Sequence, residues 1–281
     1  MQRRLPDYLK RPIIDTEKTR TVRKILKTNC LNTVCENARC PNKNECYTKH
    51  TATFLIMGGV CTRNCKYCNI SCQKPEPLDT EEPKHIAKAV KDLGLKYAVI
   101  TSVTRDDLPD GGAEHFAQCI EEIRKTSPNT KIEILTPDFK GNIESLNTII
   151  KAHPDVFNHN IEAVRGIFKT VRPQGNYDTS LDVLKYVKEN SDIKTKSGLI
   201  IGLGETFEQI KETFKDLYNV GCDILTVGQY IQPSKEHYPV GKYYTLEEYE
   251  ELKKLAASVG IKNYQIGPLV RSSYNAASLM E

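Results

Sequence analysis

Residues 53–68 read TFLIMGGVCTRNCKYC, and this stretch indicates both the fold and the kind of site. Its first part, Thr53–Met57, is a short apolar run that ends at two glycines, which is typical of a buried β-strand. Its second part places Cys61, Cys65 and Cys68 with the spacing C-x3-C-x2-C. The three thiols therefore follow directly after a predicted strand, in a loop that can bring them together.

Beyond this stretch, predicted strands alternate with predicted helices of roughly 10 to 15 residues. Such alternation is typical of βαβ units with parallel strands, and functional groups lie at the carboxyl ends of such strands. Six strand–helix pairs are too few for a closed eight-stranded barrel. The predicted fold class is therefore α/β, a partial (β/α)6 TIM-like barrel with N- and C-terminal extensions. The predicted strands are 53–57, 97–103, 131–135, 155–158, 196–201 and 223–227, and the predicted helices are 83–93, 113–124, 142–152, 180–188, 207–219 and 245–259.

The predicted organisation has three parts. Residues 1–52 form an N-terminal extension that carries three cysteines and is expected to be irregular, because its three prolines would break a long helix. Residues 53–260 form the (β/α)6 core. Residues 261–281 form a C-terminal tail with an Arg-Ser-Ser-Tyr motif.

The composition indicates a soluble globular protein. The chain has 281 residues, of which 39% are hydrophobic, and this suffices for a sizeable core. The mean hydropathy is −0.48, and no apolar stretch approaches the roughly 18 residues of a membrane-spanning helix. The N-terminus lacks the apolar segment of a signal peptide, so the cytoplasm is the expected location.

Charge is placed unevenly along the chain. The net charge is +4, and residues 1–29 contain nine Lys and Arg against three Asp and Glu. The remainder is close to neutral, which does not indicate a nucleic-acid-binding protein. The basic N-terminal stretch is either a solvated extension or a surface that steers an acidic protein partner.

The cysteines are crowded near one end, since eight of the ten lie within the first 72 residues. In a chain without an export signal, this crowding indicates metal binding rather than disulfides. Besides the stretch quoted above, Cys35, Cys40 and Cys46 form a second triplet with the spacing C-x4-C-x5-C. Three thiolates in one loop suit a cubane iron–sulfur cluster and leave one of its irons open for a substrate or cofactor.

Two other interpretations of the cysteines stay open. A structural zinc site uses four ligands, commonly two C-x2-C pairs, and one such pair occurs here; His50 could complete the triplet before it. An electron-carrier cluster could use the ferredoxin-like run Cys65-x2-Cys68-x3-Cys72, although that run normally has proline after its last cysteine. The other cysteines are expected to be small buried hydrophobic residues: Cys30, Cys119 and Cys222.

A C-x3-C-x2-C triplet after a first strand, followed by repeated βα units, resembles the radical S-adenosylmethionine (SAM) superfamily. The second triplet narrows the resemblance to the lipoyl synthase family, and the resemblance covers nearly the whole chain. Two departures, Cys72 and the absence of tryptophan, touch no proposed ligand. The matching blocks include residues 4–9, 33–46, 54–59, 103–112, 137–139, 157–160, 197–206, 227–230 and 267–274.

This resemblance implies two [4Fe–4S] clusters and SAM as cofactors. SAM would chelate the open iron of the catalytic cluster. The auxiliary cluster would take its fourth ligand from the second serine of the Arg-Ser-Ser-Tyr motif. The implied ligands are Cys61, Cys65 and Cys68 for the catalytic cluster, and Cys35, Cys40, Cys46 and Ser273 for the auxiliary cluster.

The implied activity is that of a sulfurtransferase that inserts two sulfur atoms at C6 and C8 of a protein-bound octanoyl-lysine, giving lipoyl-lysine. These carbons offer no acidic proton and no leaving group, so a cofactor must generate a radical. Cleavage of SAM would release a 5′-deoxyadenosyl radical, and the auxiliary cluster would be consumed as the sulfur donor.

The implied partners are octanoylated lipoyl domains of 2-oxoacid dehydrogenase complexes or the glycine cleavage H protein. An electron donor such as ferredoxin or flavodoxin is also implied. We expect a monomer that binds neither nucleic acid nor membrane.

Several polar residues at or just past predicted strand ends are expected to contact SAM. Arg172 could pair with the SAM carboxylate, because arginine makes bidentate contacts with carboxylates. Asp106, Asp107 and Asp110 are interpreted equally well as an ordered turn, and His159 and His237 are assigned no ligand role. The residues expected to contact SAM are Thr101, Glu133, Asn158, Asn160, Glu162, Arg172 and Gln229.

Overall fold

A computed structural model describes residues 4–12 and 14–280. The chain divides into two compact units. We call residues 11–63 and 69–157 the N-terminal unit, and residues 1–10, 64–68 and 158–281 the C-terminal unit. The predicted division into three parts stays a prediction.

Strands and intervening helices make up the N-terminal unit. Its strands are β1 (Asn32–Thr33), β2 (Thr53–Ile56), β3 (Val60–Cys61), β4 (Ser71–Cys72), β5 (Tyr97–Ser102), β6 (Lys131–Leu135) and β7 (Val156–Asn158), the last of which ends in the other unit. Its helices are α1 (Glu17–Thr28), α2 (Val34–Asn37), α3 (Lys43–Thr48), α4 (Glu82–Asp92), α5 (Ala113–Thr126) and α6 (Ile143–Ala152).

The main sheet of this unit has the strand order β1-β2-β5-β6-β7. Strand β1 is antiparallel to β2, whereas β2, β5 and β6 run parallel, with Leu55 opposite Thr101 and Val99 opposite Glu133. Strands β3 and β4 form a separate two-residue parallel ladder. All four residues of β2 are buried, as is typical of a parallel sheet covered on both faces.

The C-terminal unit repeats the same alternation. Its strands are β8 (Lys194–Ile201), β9 (Ile224–Gln229) and β10 (Asn263–Gly267), and its helices are α7 (Arg165–Val171), α8 (Tyr177–Asn190), α9 (Phe207–Asn219) and α10 (Leu246–Val259). Strands β8, β9 and β10 are parallel, with Ile201 opposite Gln229 and Gly228 opposite Gly267. All six residues of β9 are buried.

The predicted α/β class is confirmed. Strand β6 and helix α9 have the predicted bounds, and the other ten predicted elements differ by at most three residues at either end. In the part of the chain that the structure describes, β1 pairs only with β2 and β10 only with β9. These two edge strands leave the sheet open, as a partial barrel requires.

The expectation of an irregular N-terminal extension is wrong. Helix α1 begins after Thr16, whose side chain accepts the Thr19 N–H in a capping box, and it buries Val22 and Leu26. The prolines lie outside this helix and therefore do not interrupt it. Helix α7 and strand β10 were also not predicted, and β10 lies within the predicted tail.

The expectation for the three remaining cysteines is only partly right. Cys119 is buried, Cys222 is half-buried, and Cys30 is exposed. Cys30 follows α1 in the left-handed region, with φ of 53°, and this turn directs the residue away from the core. Within residues 4–12 and 14–280, no helix is both long and apolar enough to cross a membrane.

Candidate functional site

The cysteines of the candidate site form two triplets. We call Cys61, Cys65 and Cys68 the loop triplet, because Cys61 ends β3 and the other two lie in the loop after it. We call Cys35, Cys40 and Cys46 the helix triplet, because they lie in or between α2 and α3.

Cys61 is held in the N-terminal unit by hydrogen bonds to the segment after β5. The Thr62 N–H and hydroxyl both donate to the Thr104 carbonyl, at 3.0 and 2.9 Å, and the Asp106 N–H donates to the Thr62 hydroxyl at 3.0 Å. The Cys61 Sγ accepts the N–H groups of Thr104 at 3.3 Å and Arg63 at 3.4 Å. These hydrogen bonds fix the position of the Cys61 sulfur relative to the segment after β5.

The segment of residues 64–68 in the C-terminal unit carries the other two thiols of the loop triplet. The Lys66 N–H donates to the Val171 carbonyl at 2.8 Å, and the Tyr238 N–H donates to the Lys66 carbonyl at 2.8 Å. Main-chain hydrogen bonds on both sides of Lys66 therefore fix this segment against the end of α7 and the loop after β9.

His237 supports the same segment, although the sequence suggested no role for it. One of its ring nitrogens, Nε2, lies 3.1 Å from the Cys68 carbonyl, and Nδ1 lies 2.8 Å from the Ser234 hydroxyl. Both ring nitrogens are thus engaged with the protein, so His237 orients the main chain at Cys68 and leaves metal binding to the thiol.

The three thiols of the helix triplet lie close enough for the charge of one to raise the pKa of another. Burial, with the nearby Cys40 and Cys46 thiolates, raises the pKa of Cys35 to about 12. Burial and Cys40 likewise raise the pKa of Cys46 to about 11. The Cys40 N–H donates to the Cys35 carbonyl at 3.1 Å and closes the turn between them. Three thiols whose anionic forms repel one another in a desolvated place are stabilised by a bound cation.

Both triplets fit an iron–sulfur cluster in their donor atoms, since each supplies only soft sulfur ligands. Among the described residues, no group of three or more His, Cys, Asp or Glu side chains converges on a single ion. A cubane cluster does not require this, because each of its thiolates binds a different iron.

Three residues expected to contact SAM meet in the C-terminal unit. The Asn160 Nδ2 donates to the Glu162 carboxylate at 3.2 Å, and the Arg172 Nη1 donates to the Asn160 carbonyl at 3.4 Å. Burial raises the pKa of Glu162, opposed by the Arg172 charge and the Asn160 hydrogen bond. Glu162 also has a φ of 66°, and such strain in a non-glycine residue clusters at functional sites.

The C-terminal tail reaches this group. The Asn160 Nδ2 also lies 3.4 Å from the Ser272 hydroxyl, and the Tyr274 N–H donates to the Arg271 carbonyl at 2.9 Å, which closes a turn. Ser273, in the middle of this turn, is partly exposed. The motif is therefore a folded part of the C-terminal unit and lies beside the residues expected to contact SAM.

A glycine permits the close approach of the tail to the sheet. A Cβ atom on Gly228 would lie 2.0 Å from the Val270 carbonyl oxygen, whereas a Cβ on its ladder partner Gly267 would lie 3.4 Å from the Val270 side chain. The backbone of the segment that leads into the motif thus packs directly on β9.

Gly228→Ala is expected to lower the free energy of unfolding by about 3 kcal/mol, because its methyl group must displace main-chain atoms. Gly267→Ala, the matched control, should cost less than about 1 kcal/mol because it makes an ordinary contact. Urea unfolding of the two variants checks this. Equal losses would show that the approach of Val270 does not depend on the glycine.

Thr101 and Glu133, also expected to contact SAM, have hydrogen-bond partners within their own unit. The Thr101 hydroxyl donates to the Leu135 carbonyl at 3.0 Å, and the fully buried Glu133 accepts the Tyr97 hydroxyl at 2.6 Å. Asn158 is also fully buried. Their contacts with SAM stay predictions.

Gln229 links two segments of the C-terminal unit through its side-chain amide, a role that its position in the sequence does not indicate. Its Nε2 lies within 3.2 Å of three main-chain carbonyls, and its Oε1 accepts the Tyr244 N–H at 3.0 Å and the Tyr249 hydroxyl at 3.3 Å. The amide thereby joins the end of β9 to the segment before α10. Its contact with SAM also stays a prediction.

The acidic residues after β5 have separate roles. Asp110 accepts the Gly112 and Glu114 N–H groups at 2.9 and 2.8 Å and so caps α5, as expected for an ordered turn. Asp106 instead accepts hydrogen bonds from the buried guanidinium of Arg63, which lies between Cys61 and Cys65 in the sequence. An arginine between two cysteines and aspartates after two strands are the signals that could have indicated this contact.

Comparisons with known proteins show which sequences and which fold this chain resembles. Residues 55–217 match the model of the radical SAM superfamily. The chain is 54% identical to a lipoyl synthase from Caldicellulosiruptor bescii over 96% of this chain and 94% of that protein, and 52% identical to a lipoyl synthase from Caldicellulosiruptor saccharolyticus over 98% and 97%. The crystal structure of methylornithine synthase matches with a TM-score of 0.57 at 12% identity, over 87% of this chain and 70% of that one, which shows a shared fold.

Proposed function

The chain belongs to the lipoyl synthase family of the radical SAM superfamily, and we propose that its two cysteine triplets divide the reaction of this family between two iron–sulfur clusters. The enzyme is a sulfurtransferase that inserts two sulfur atoms at C6 and C8 of a protein-bound octanoyl-lysine. The observation that carries the proposal is the presence of two thiol sets. In the helix triplet the anionic forms of the thiols repel one another, and in the loop triplet two main-chain N–H groups donate to the Cys61 Sγ.

The cofactors are SAM and two [4Fe–4S] clusters. SAM and its cluster, when bound, supply a 5′-deoxyadenosyl radical, and the auxiliary cluster supplies sulfur. The loop triplet would hold the first cluster, and the helix triplet with Ser273 would hold the second. The hydrogen bonds to the Cys61 Sγ support this role, since they hold the sulfur in a fixed position.

Polar residues of the C-terminal unit would bind and orient SAM. Arg172 suits the carboxylate of its methionyl group, because a guanidinium makes bidentate contacts. The Glu162 carboxylate suits the amino group, and Asn160 holds Glu162 in place. Arg172 is only 6% exposed. Charge interactions are stronger in such a buried place than in water.

An apolar group beside Cys65 and Cys68 would exclude water from the radical. Ala163, Val171, Leu203 and Tyr230 are buried together, and Tyr67 and Tyr238 pack on them. Burial raises the pKa of Tyr67 far above its usual range, so that its phenol stays neutral. An uncharged surface that excludes water limits side reactions of a reactive intermediate.

The protein substrate is a lipoyl-domain protein carrying an octanoyl group. We propose the lipoyl domains of 2-oxoacid dehydrogenase complexes or the glycine cleavage H protein, with ferredoxin or flavodoxin as electron donor. The enzyme would act as a monomer in the cytoplasm, where thiols are kept reduced for cluster assembly.

An anaerobic iron and sulfide count alongside a product assay tests the proposal. Reconstituted protein should bind about eight irons per chain, as two four-iron clusters. With SAM and a reductant, it should convert an octanoyl-lysine peptide to lipoyl-lysine. About four irons per chain, with lipoyl formation surviving loss of the helix triplet, would contradict it.

Cys72 distinguishes this function from that of an electron carrier. Cys72 lies opposite Cys61 in the β3–β4 ladder and is exposed, a position from which a fourth thiolate could close the cluster. Because SAM is proposed to occupy that position instead, Cys72→Ala should keep about eight irons per chain and near-normal lipoyl formation. The exposed Cys30→Ala serves as the matched control. Loss of one whole cluster from Cys72→Ala alone would favour the carrier.

A further inference from the structure

We propose that Arg63, with Asp106 and Asp138, is a positioning group that holds Cys61 and the turn after it in the conformation that accepts the catalytic cluster. The inference rests on the proposed role of the loop triplet. All three residues belong to the N-terminal unit, and none is a cluster ligand.

One guanidinium binds two carboxylates through four hydrogen bonds. Arg63 Nε and Nη2 donate to Asp106 at 2.7 and 2.9 Å, and Nη1 and Nη2 donate to Asp138 at 2.7 and 2.7 Å. Arg63 is 4% exposed and Asp138 is 2% exposed. Bidentate pairs of this kind combine charge with fixed geometry.

The Arg63 guanidinium joins three loops of the unit. Arg63 lies in the loop after β3, Asp106 follows β5, and Asp138 follows β6. Asp138 also accepts the Lys140 N–H at 3.0 Å, so its carboxylate is itself fixed by the loop that carries it. Lysine could not replace Arg63, because an ammonium is a point charge without a planar pair of donor edges.

The same contacts act on the thiol of Cys61. The Arg63 N–H is one of the two groups that donate to the Cys61 Sγ, and the other comes from Thr104 in the segment that carries Asp106. When Asp106 and Asp138 hold Arg63, they therefore also hold both donors to the sulfur. Hydrogen bonds to cluster sulfurs and the residues that orient ligands affect both metal binding and reduction potential.

A contribution to stability alone does not account for this group. Buried charges such as those of Arg63 and Asp138 are costly to desolvate, and hydrophobic side chains of similar volume often stabilise a protein equally well. The geometry that the charges impose on the loop is the remaining reason for the group.

The variants Arg63→Gln, Arg63→Lys and Asp138→Asn, made in the full chain, test the proposal. Each should lose one cluster, going from about eight to about four irons per chain. In electron paramagnetic resonance of the reduced protein, the signal that changes on SAM addition should be lost. The signal that does not respond to SAM should remain, which shows that the variant is folded and still holds the auxiliary cluster.

Arg124→Gln is the matched control. Arg124 pairs with Asp155 at 2.7 Å and donates to the Thr130 carbonyl at 2.9 Å, beside the start of β6 and outside the cluster loops. This variant removes a more exposed arginine–aspartate pair from the same unit and should keep both clusters. A loss of the SAM-responsive signal from this variant too would assign the effect to general destabilisation.

A purely electrostatic role and a positioning role of Arg63 predict different results for two of the variants. Arg63→Gln removes a positive charge and Asp138→Asn a negative charge, so a purely electrostatic role shifts the reduction potential in opposite directions with both clusters retained. A positioning role makes both variants lose the same cluster. Opposite shifts at full iron content, or full rescue by Arg63→Lys, would overturn the proposal. A wild-type count of about four irons would instead overturn the proposed function.

Discussion

Replacing Cys65 with alanine is expected to lower SAM cleavage by about 1000-fold or more, because the radical is generated only at an intact catalytic cluster. Two remaining thiolates would leave a second iron without a protein ligand, and such a cluster would be lost during purification. The helix triplet belongs to a different part of the chain and should keep its cluster.

The measurement is release of 5′-deoxyadenosine together with iron content. Cys65→Ala should bind about four irons per chain and give neither 5′-deoxyadenosine nor lipoyl product. Cys222→Ala, a half-buried cysteine outside both triplets, serves as the control and should retain both activities. Normal 5′-deoxyadenosine release from Cys65→Ala would remove the loop triplet from the catalytic cluster.

The second large effect is expected from Ser273→Ala, which should lower lipoyl formation by about 100-fold or more while SAM cleavage stays within about threefold of wild type. The proposed alkoxide ligand belongs to the sulfur-donating cluster and has no part in radical formation. Its loss should therefore uncouple the two halves of the reaction.

Mass spectrometry of the octanoyl-lysine peptide, with a parallel 5′-deoxyadenosine assay, measures this uncoupling. Ser278→Ala is the control, because Ser278 lies in the same tail, is exposed and donates only to the Asn275 carbonyl among the contacts described. Full lipoyl product from Ser273→Ala would refute the ligand role, and equal loss of both products would indicate a general defect.

Local patterns predicted most of the fold. Strand β6 and helix α9 were predicted with the observed bounds, because each combines a clear hydrophobic period with polar or turn residues at its ends. The prolines of residues 1–52 favour irregular structure, but all of them lie outside α1, and the capping box at Thr16 starts this helix. Strand β10 is short and only partly buried, so its sequence carries a weak strand signal.

The candidate site, like the fold, is only partly predictable from residues that are neighbours in the sequence. The spacing of the cysteines predicts both thiol sets, since each triplet is local in sequence. The partners of Arg63 lie 43 and 75 residues away, so only the fold reveals the pairs. The hydrogen bonds of the Gln229 amide likewise depend on later residues, Lys242 and Tyr244 before α10 and Tyr249 within it.

The contact between Gly228 and Val270 has a consequence for how this protein tolerates mutation. Because a carbonyl oxygen occupies the place of a side chain on β9, main-chain contact sets the distance between strand and tail. Any side chain at position 228 must therefore displace main-chain atoms of the tail. Over evolutionary time, a single methyl group at this position would disturb the approach of the Arg-Ser-Ser-Tyr motif more than most side-chain changes around it.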